Sequence, residues 1–258
     1  MGAVTLSSGS ITGANGTLSG SSYSITNAAG NSTISAKLGG AGTLTKTGAG
    51  NLTMSGNNSY TGTTTLTAGT VIVDSNSSFG SGGTVVLNGS ILQSNGSRTL
   101  SNPLSLAVNT TVAGSSNLTL GGTFTQTGTN LTLTVSNTAN TTLGSIALSD
   151  LAANRTLTVS NTGNLIVAGN ISNGNSTGSG LTKTGAGVLL LSGAAFLGSA
   201  PTFGQEVEGD ERGRRFLGEF GDPLHGGTSY RLCVYDDGVL ASGTDIPAGR
   251  YKALQAHY

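Results

Sequence analysis

Short runs of alternating apolar and hydroxyl side chains fill the first two hundred residues of this chain. In most runs Leu, Val or Ile occupies one face and Thr or Ser the other, the period-two pattern of a half-buried β-strand. Clusters of Gly, Asn and Ser separate the runs and are typical of turns. No capped apolar pattern of helical spacing accompanies them. The strands predicted in this way cover residues 43–45, 51–55, 63–67, 70–74, 84–88, 117–120, 130–135, 155–159 and 164–167.

Strands about ten to twelve residues apart, with no helices, leave three all-β architectures: a sandwich, a barrel or a solenoid. Internal repetition favours the solenoid, because Leu-Thr-Lys-Thr-Gly-Ala-Gly occurs at 44–50 and again at 181–187. Extended to thirteen residues, the two copies are identical at ten positions. Few aromatic residues are present, so the core would be thin, as stacked rungs require. With rungs of roughly 20–25 residues, the offset of 137 residues predicts about six rungs.

Charge excludes some partners. The chain has 258 residues and no net charge, so it has no electrostatic reason to bind nucleic acid or an anionic membrane. No apolar stretch reaches the length of a membrane span. The N-terminus has neither a basic region nor an apolar region that would indicate a signal peptide. We therefore expect either a cytoplasmic chain or a piece of a longer protein.

The composition changes abruptly near residues 195–200. Residues 1–200 contain seven charged side chains and 21 Asn, whereas the remaining residues contain fifteen charged side chains and no Asn. We predict two domains, a solenoid over 1–197 and a charged linker with a small β-hairpin module over 198–258. Within the second, 206–215 is interpreted as a solvated linker. A hairpin is predicted from strands at 228–235 and 239–241, joined by Asp236-Asp-Gly238, with a further strand at 246–251.

Groups that titrate or bind metals are scarce before residue 200, where His, Cys and Glu are absent. The two carboxylates there, Asp74 and Asp150, could serve a glycosidase only if they met, and we interpret them as turn residues. In the tail, Asp222, His225 and Cys233 could form a thiol catalytic set, but a small incomplete β-domain fits them better.

Lys46 and Lys183 occupy matched places in the two heptapeptides. Thr precedes each lysine, whereas a phosphate-binding loop requires Gly at that place. We interpret both as solvated lysines that discourage lateral strand pairing. The sequence therefore predicts no catalytic, cofactor-binding or metal-binding residue, and no cofactor.

Residues 43–71 closely resemble the autotransporter-associated β-strand repeat, also called the passenger-associated transport repeat. The second copy follows the repeat through Gly193 and then departs from it, reading Ala-Ala-Phe-Leu-Gly-Ser-Ala-Pro over 194–201. The residues that carry the resemblance in the first copy are Leu44, Lys46, Gly48, Gly50, Leu52, Ser55, Gly56, Tyr60, Gly62, Thr65, Gly69 and Val71.

The resemblance implies a right-handed parallel β-helix in a large, secreted, surface-displayed bacterial passenger, a class that often acts in adhesion. Full members carry a signal peptide and a C-terminal membrane barrel. Neither pattern is visible here, so we expect an internal fragment or a fusion.

Three functional hypotheses follow from the sequence. The leading one is a non-catalytic structural and adhesive passenger segment, extracellular or at the bacterial cell surface, that contacts glycan or protein surfaces of a host or its surroundings. It predicts neither nucleic-acid binding nor a membrane span in this chain. The alternative is a carbohydrate-binding or carbohydrate-active β-helix protein. In a third, the tail carries a function that the solenoid presents.

Overall fold

The chain is a β-solenoid in which every regular element of the described residues is a strand. The structure, a computed structural model, describes residues 2–13, 15–196, 202–203, 216–222, 228–234 and 256–257, with side chains through residue 194. The described chain winds through about nine turns. No helix among these residues is long and apolar enough to span a bilayer. The predicted all-β solenoid is thus confirmed.

The strands are short, with two to eight residues each. Turn one contains β1 (Ala3–Leu6), β2 (Ser10–Ile11) and β3 (Thr17–Ser19), and turn two contains β4 (Ser22–Ile25), β5 (Asn31–Ile34) and β6 (Lys37–Gly39). Turn three contains β7 (Thr43–Lys46) and β8 (Asn51–Met54), and turn four contains β9 (Thr64–Leu66) and β10 (Thr70–Val73). Turn five contains β11 (Val85–Asn88), β12 (Ile91–Ser94) and β13 (Arg98–Leu100), and turn six contains β14 (Leu104–Val108), β15 (Thr110–Val112) and β16 (Leu118–Leu120). Turn seven contains β17 (Phe124–Gln126), β18 (Leu131–Val135) and β19 (Thr141–Leu143), and turn eight contains β20 (Ile146–Ala147), β21 (Thr156–Asn161) and β22 (Leu165–Val167). Turn nine contains β23 (Ile171–Ser172), β24 (Gly180–Thr184) and β25 (Leu189–Phe196). The remaining described strands are β26 (Thr202–Phe203), β27 (Phe216–Asp222), β28 (Thr228–Val234) and β29 (Ala256–His257).

Parallel pairing between successive turns builds three faces. Face 1 is the ladder β1-β4-β7-β9-β11-β14-β17-β20-β23, and face 2 is the ladder β2-β5-β8-β10-β12-β15-β18-β21-β24. Face 3 consists of β3 and β6 and, from turn five onward, of β13-β16-β19-β22-β25. Paired residues on face 1 are 19 to 25 positions apart, close to the predicted rung length.

The core is a set of inward columns with one side chain per turn, most of them apolar. On face 2, for example, Leu52, Val71, Leu92, Val112 and Val135 stack in register and are fully buried. Because successive side chains of a strand point to opposite faces, the Thr and Ser residues between them point outward. All nine strands predicted from alternation are present, with ends shifted by no more than two residues.

Strand pairing continues beyond residue 197. Face 2 extends from β24 to β26, β27 pairs in parallel with β25, and β28 pairs antiparallel with β27. The strand predicted over 228–235 is therefore present as β28, and its antiparallel neighbours are β27 and the two-residue β29. The predicted linker at 206–215, the Asp236-Asp-Gly238 turn and the strands at 239–241 and 246–251 lie outside the described residues. The domain boundary at 197/198 remains a prediction.

Candidate functional site

The duplicated heptapeptide forms a strand end and the corner that follows it. In the first copy, β7 on face 1 leads through residues 47–50 to β8 on face 2. In the second copy, β24 on face 2 leads through residues 185–188 to β25 on face 3. The copies are therefore six turns and one face apart, which agrees with the predicted offset of about six rungs and adds a displacement by one face. The repeated unit is therefore a corner, which joins face 1 to face 2 in the first copy and face 2 to face 3 in the second.

Lys46 is fully buried in the solenoid, with 0% of its surface exposed. It lies in register between Ile25 of the preceding turn and Leu66 of the following turn. Its ammonium group donates hydrogen bonds to the carbonyl of Gly48 in its own corner and to that of Ala68 in the next turn, the latter at 3.3 Å. The prediction of a solvated lysine is wrong here, and the alternation contained the signal. Leu44 faces the core, so the residue two positions later faces it as well.

Lys183 makes the corresponding bond within its own corner in the second copy. It is partly exposed, and it pairs in register with the buried Val159 of the preceding turn. Its ammonium group donates to the carbonyl of Gly185 at 2.5 Å and to that of Thr184 at 3.2 Å. In both copies the lysine therefore bonds the carbonyl of the first Gly of Thr-Gly-Ala-Gly, although Lys183, unlike Lys46, keeps part of its surface exposed to solvent.

Each corner lies directly on the backbone of the preceding turn. A Cβ atom on Gly48 would lie 2.0 Å from the carbonyl oxygen of Asn27, and one on Gly185 would lie 2.5 Å from that of Asn161. Side chains cannot occupy such space without moving a neighbouring backbone. Gly at these positions is thus required by close backbone approach.

The two asparagines under these corners are fully buried and make equivalent bonds. The side-chain amide of Asn27 donates to the carbonyl of Asn51 at 2.9 Å, and that of Asn161 donates to the carbonyl of Val188 at 2.8 Å. Asn51 and Val188 occupy the same position of the two copies. The sequence repetition therefore encodes a repeated set of contacts between turns.

The segment that follows β8 takes the place of a face 3 strand. Asn58 is buried there; its side-chain oxygen accepts from the backbone N–H of Leu38 at 2.8 Å and its amide donates to the carbonyl of Ser78 at 2.7 Å. These are the bonds that a strand backbone would make to the turns before and after it. The Tyr60 ring is fully buried beside it, with its hydroxyl 2.7 Å from the Thr64 hydroxyl.

Burial changes the acid–base properties of two of these groups. Desolvation lowers the pKa of Lys46 from its ordinary value of 10.5. Desolvation raises the pKa of Tyr60 well above its ordinary value, and the hydrogen bond with Thr64 offsets part of that rise. Both groups lie among strands of the interior and do not open onto solvent, so their arrangement supports folding rather than proton transfer to a ligand.

The two carboxylates of the solenoid do not meet. Asp74 pairs with Arg98, and Asp150 pairs with Arg155, each at 2.5 Å. Asp74 lies in turn four and Asp150 in turn eight, so about 19 Å of stacked strands separates them along the axis at ~4.8 Å per turn. Among the described residues, no three His, Cys, Asp or Glu side chains gather as they would around a metal ion. His225 and the side chains of Asp222 and Cys233 lie outside the description.

The outer surface of the solenoid is rich in hydroxyl and amide groups. Exposed asparagines of adjacent turns bond to one another, with Asn51 donating to Asn31 at 3.0 Å and Asn164 donating to Asn140 at 3.2 Å. This surface offers short-range hydrogen bonding over several turns and carries little charge. One outward column of face 1 contains Ser24, Thr45, Thr65, Val86, Ser105 and Thr125 in register.

A family model of the passenger-associated transport repeat matches residues 44–73 and 181–198. The first match spans β7 through β10, and the second, shorter match begins within β24 and ends two residues after β25. Neither the curated proteins nor the solved structures contain a significant match to the chain. The matched residues include the lysines, glycines and buried Tyr60 whose contacts between turns are described above.

Proposed function

Because the chain carries passenger-associated transport repeats, we propose that it is a non-catalytic, adhesive passenger segment displayed outside a bacterial cell. In this role the solenoid is a scaffold, and its outward faces are the parts that contact a partner.

One observation carries this proposal: the repeat's signature residues are used for stacking turns. Lys46, Gly48 and Tyr60 face the interior or the preceding turn, where no external ligand reaches them. What remains for a partner is the outer surface of Thr, Ser and Asn. Function in this molecule is therefore expected from an extended surface and not from a pocket.

The chemistry of that surface indicates the class of partner. With no net charge on the chain, long-range attraction contributes little, and binding depends on many short-range hydrogen bonds. Individually weak contacts repeated along successive turns, or between many copies on a cell, add up through multivalency. Glycan-covered or protein-covered surfaces, which offer many polar groups, fit such a partner.

A bead-adhesion experiment tests the proposal. Fluorescent beads coated with the full chain are added to epithelial monolayers, with albumin-coated beads as the reference, and periodate-treated monolayers show whether glycans are bound. We expect several-fold more chain-coated than albumin-coated beads. S105D/T125D, which places two charges on the outward column of face 1, is compared with T132D/T158D, which does the same on face 2.

Two results would overturn the proposal. If beads coated with the full chain are retained no better than albumin-coated beads, the chain is not adhesive. Release of reducing ends from polysaccharides by the purified chain removes the non-catalytic role and favours the carbohydrate-active alternative. Loss of adhesion in one double variant alone identifies the face that binds.

A further inference from the structure

We propose that three buried side chains, Lys46, Gln126 and Asn161, act as forward links, each of which bonds its own turn of the solenoid to the turn after it. A forward link is a buried donor with one acceptor in its own corner and a second acceptor in the following turn. This role concerns the coupling between turns and is independent of the proposed adhesive function.

Lys46 and Gln126 occupy the same inward column of face 1, four turns apart. Both side chains are fully buried. Lys46 donates to Gly48 in its own corner and to Ala68 in turn four. Gln126 donates to Thr129 in its own corner and, at 3.3 Å, to Thr156 in turn eight. An ammonium group and an amide thus make the same pair of bonds, although the sequences of their corners differ.

Asn161 makes the third forward link, at the corner between faces 2 and 3. It is fully buried, and its side-chain amide donates at 2.8 Å to the carbonyl of Gly163 in its own corner. The same amide donates at 2.8 Å to the carbonyl of Val188 in turn nine. The pattern of one bond within the corner and one to the next turn therefore recurs on a second face with a different donor.

The direction of these bonds has an energetic consequence. A buried donor that lacks an acceptor loses its hydration without compensation, which costs about 1–3 kcal/mol. Each forward link obtains its second acceptor only after the following turn has stacked. The turn that carries the link is therefore stabilised specifically by the turn after it. This stabilisation adds to the backbone hydrogen bonds that the linked turn makes to the turns before and after it.

Asn102 provides a matched comparison within the same chain. It is buried, lies in turn five, and donates to the carbonyls of Phe79 at 3.2 Å and Gly83 at 2.9 Å. Both acceptors belong to turn four, which precedes it. Asn102 is thus a backward link, and its removal should affect the preceding turn instead of the following one.

Amide hydrogen exchange of the full chain, resolved by turn with mass spectrometry, tests the proposal. The variants are K46M, Q126M and N161L, which keep similar volume and remove the donor. We expect exchange about tenfold faster in the linked pair of turns, which are three and four for K46M, seven and eight for Q126M, and eight and nine for N161L. The turn before each pair, which is two, six or seven respectively, keeps its protection. N102L should show the reverse pattern, with turns four and five affected and turn six protected.

Two controls separate linkage from general damage to the core. T45V and T125V alter the outward neighbours on the same strands and should leave exchange unchanged. K46Q supplies an amide donor like that of Gln126 in the same column, so turn four should stay as protected as in the original chain. If K46M does not fold, this comparison of K46Q with the original chain tests the proposal. Equal losses in the preceding and following turns, or exchange in K46Q as fast as in K46M, would overturn the proposal.

Discussion

At the scale of one residue, Lys46 shows how this solenoid accommodates a charged side chain in its core. Its ammonium group lies inside a thin core and is bonded to the carbonyls of Gly48 and Ala68. The alternation of β7 predicts the inward position, because Leu44 and Lys46 share one side of the strand. Its acceptors could not be predicted from sequence, since Ala68 comes close only when turn four stacks on turn three. A charge buried in such a site makes the stability of the folded chain depend on pH.

Lys46 should make the folded chain gain stability as pH rises towards 10.5, the ordinary pKa of a lysine. Burial lowers the pKa of this lysine below its ordinary value of 10.5, so the unfolded chain binds more protons in this range. Stability is therefore gained as pH rises from the lowered pKa towards the ordinary one. Urea unfolding at successive pH values should show a steeper rise in the unfolding free energy for the original chain than for K46M.

The control for this prediction is K37M, which removes an exposed lysine from β6. It should keep the slope of the original chain. Parallel pH profiles for the original chain and K46M would contradict the prediction. Measurements stop at pH 9.5, below the ordinary tyrosine pKa of 10.0, to limit the contribution from tyrosines that ionise in the unfolded chain, such as Tyr60 with its raised folded-state pKa.

At the scale of strands and corners, the alternation of apolar and polar residues predicted the strands but not the contacts between the corners of successive turns. Period-two alternation is a local property, so β7, β8 and β10 could be located from sequence alone. The face on which each copy of the heptapeptide lies depends on the lengths of all intervening corners, so the displacement by one face was not predicted. Replacement of a face 3 strand by the amide of Asn58 was likewise hidden, because its partners are 20 residues away in both directions.

The contact between successive corners yields a prediction for Gly48. G48A would place a Cβ atom 2.0 Å from the carbonyl oxygen of Asn27, so one of the two corners must shift. Overpacking of this kind costs about 1–3 kcal/mol, and the midpoint of urea unfolding should fall accordingly. G121A is the matched control, since its Cβ would lie 3.6 Å from the carbonyl of Leu100, an ordinary contact. Equal midpoints for the two variants would show that the corners are not in close contact.

At the scale of the whole molecule, stability is expected to be a sum over turns and their interfaces. Each described turn of the solenoid pairs only with the turns adjacent to it, and turn one pairs with turn two alone among the described strands, as expected for the end of a repeat architecture. Forward links such as Gln126 strengthen particular interfaces. Local damage should therefore spread to neighbouring turns and fade with distance, and its global effect should depend on where along the axis it occurs.

Two leucine truncations test this expectation. Leu106 is fully buried on β14 in turn six, with paired turns on both sides, whereas Leu6 lies on β1, which pairs only with β4 among the described strands. L106A should cost about 2–5 kcal/mol through the lost burial and the cavity left behind. Hydrogen exchange should rise in turns five to seven. L6A should raise exchange in turns one and two and leave the urea midpoint nearly unchanged, because the remaining turns keep their interfaces. If both variants lowered the midpoint equally and raised exchange in every turn, the chain would unfold as one unit and the turn-by-turn description would be wrong.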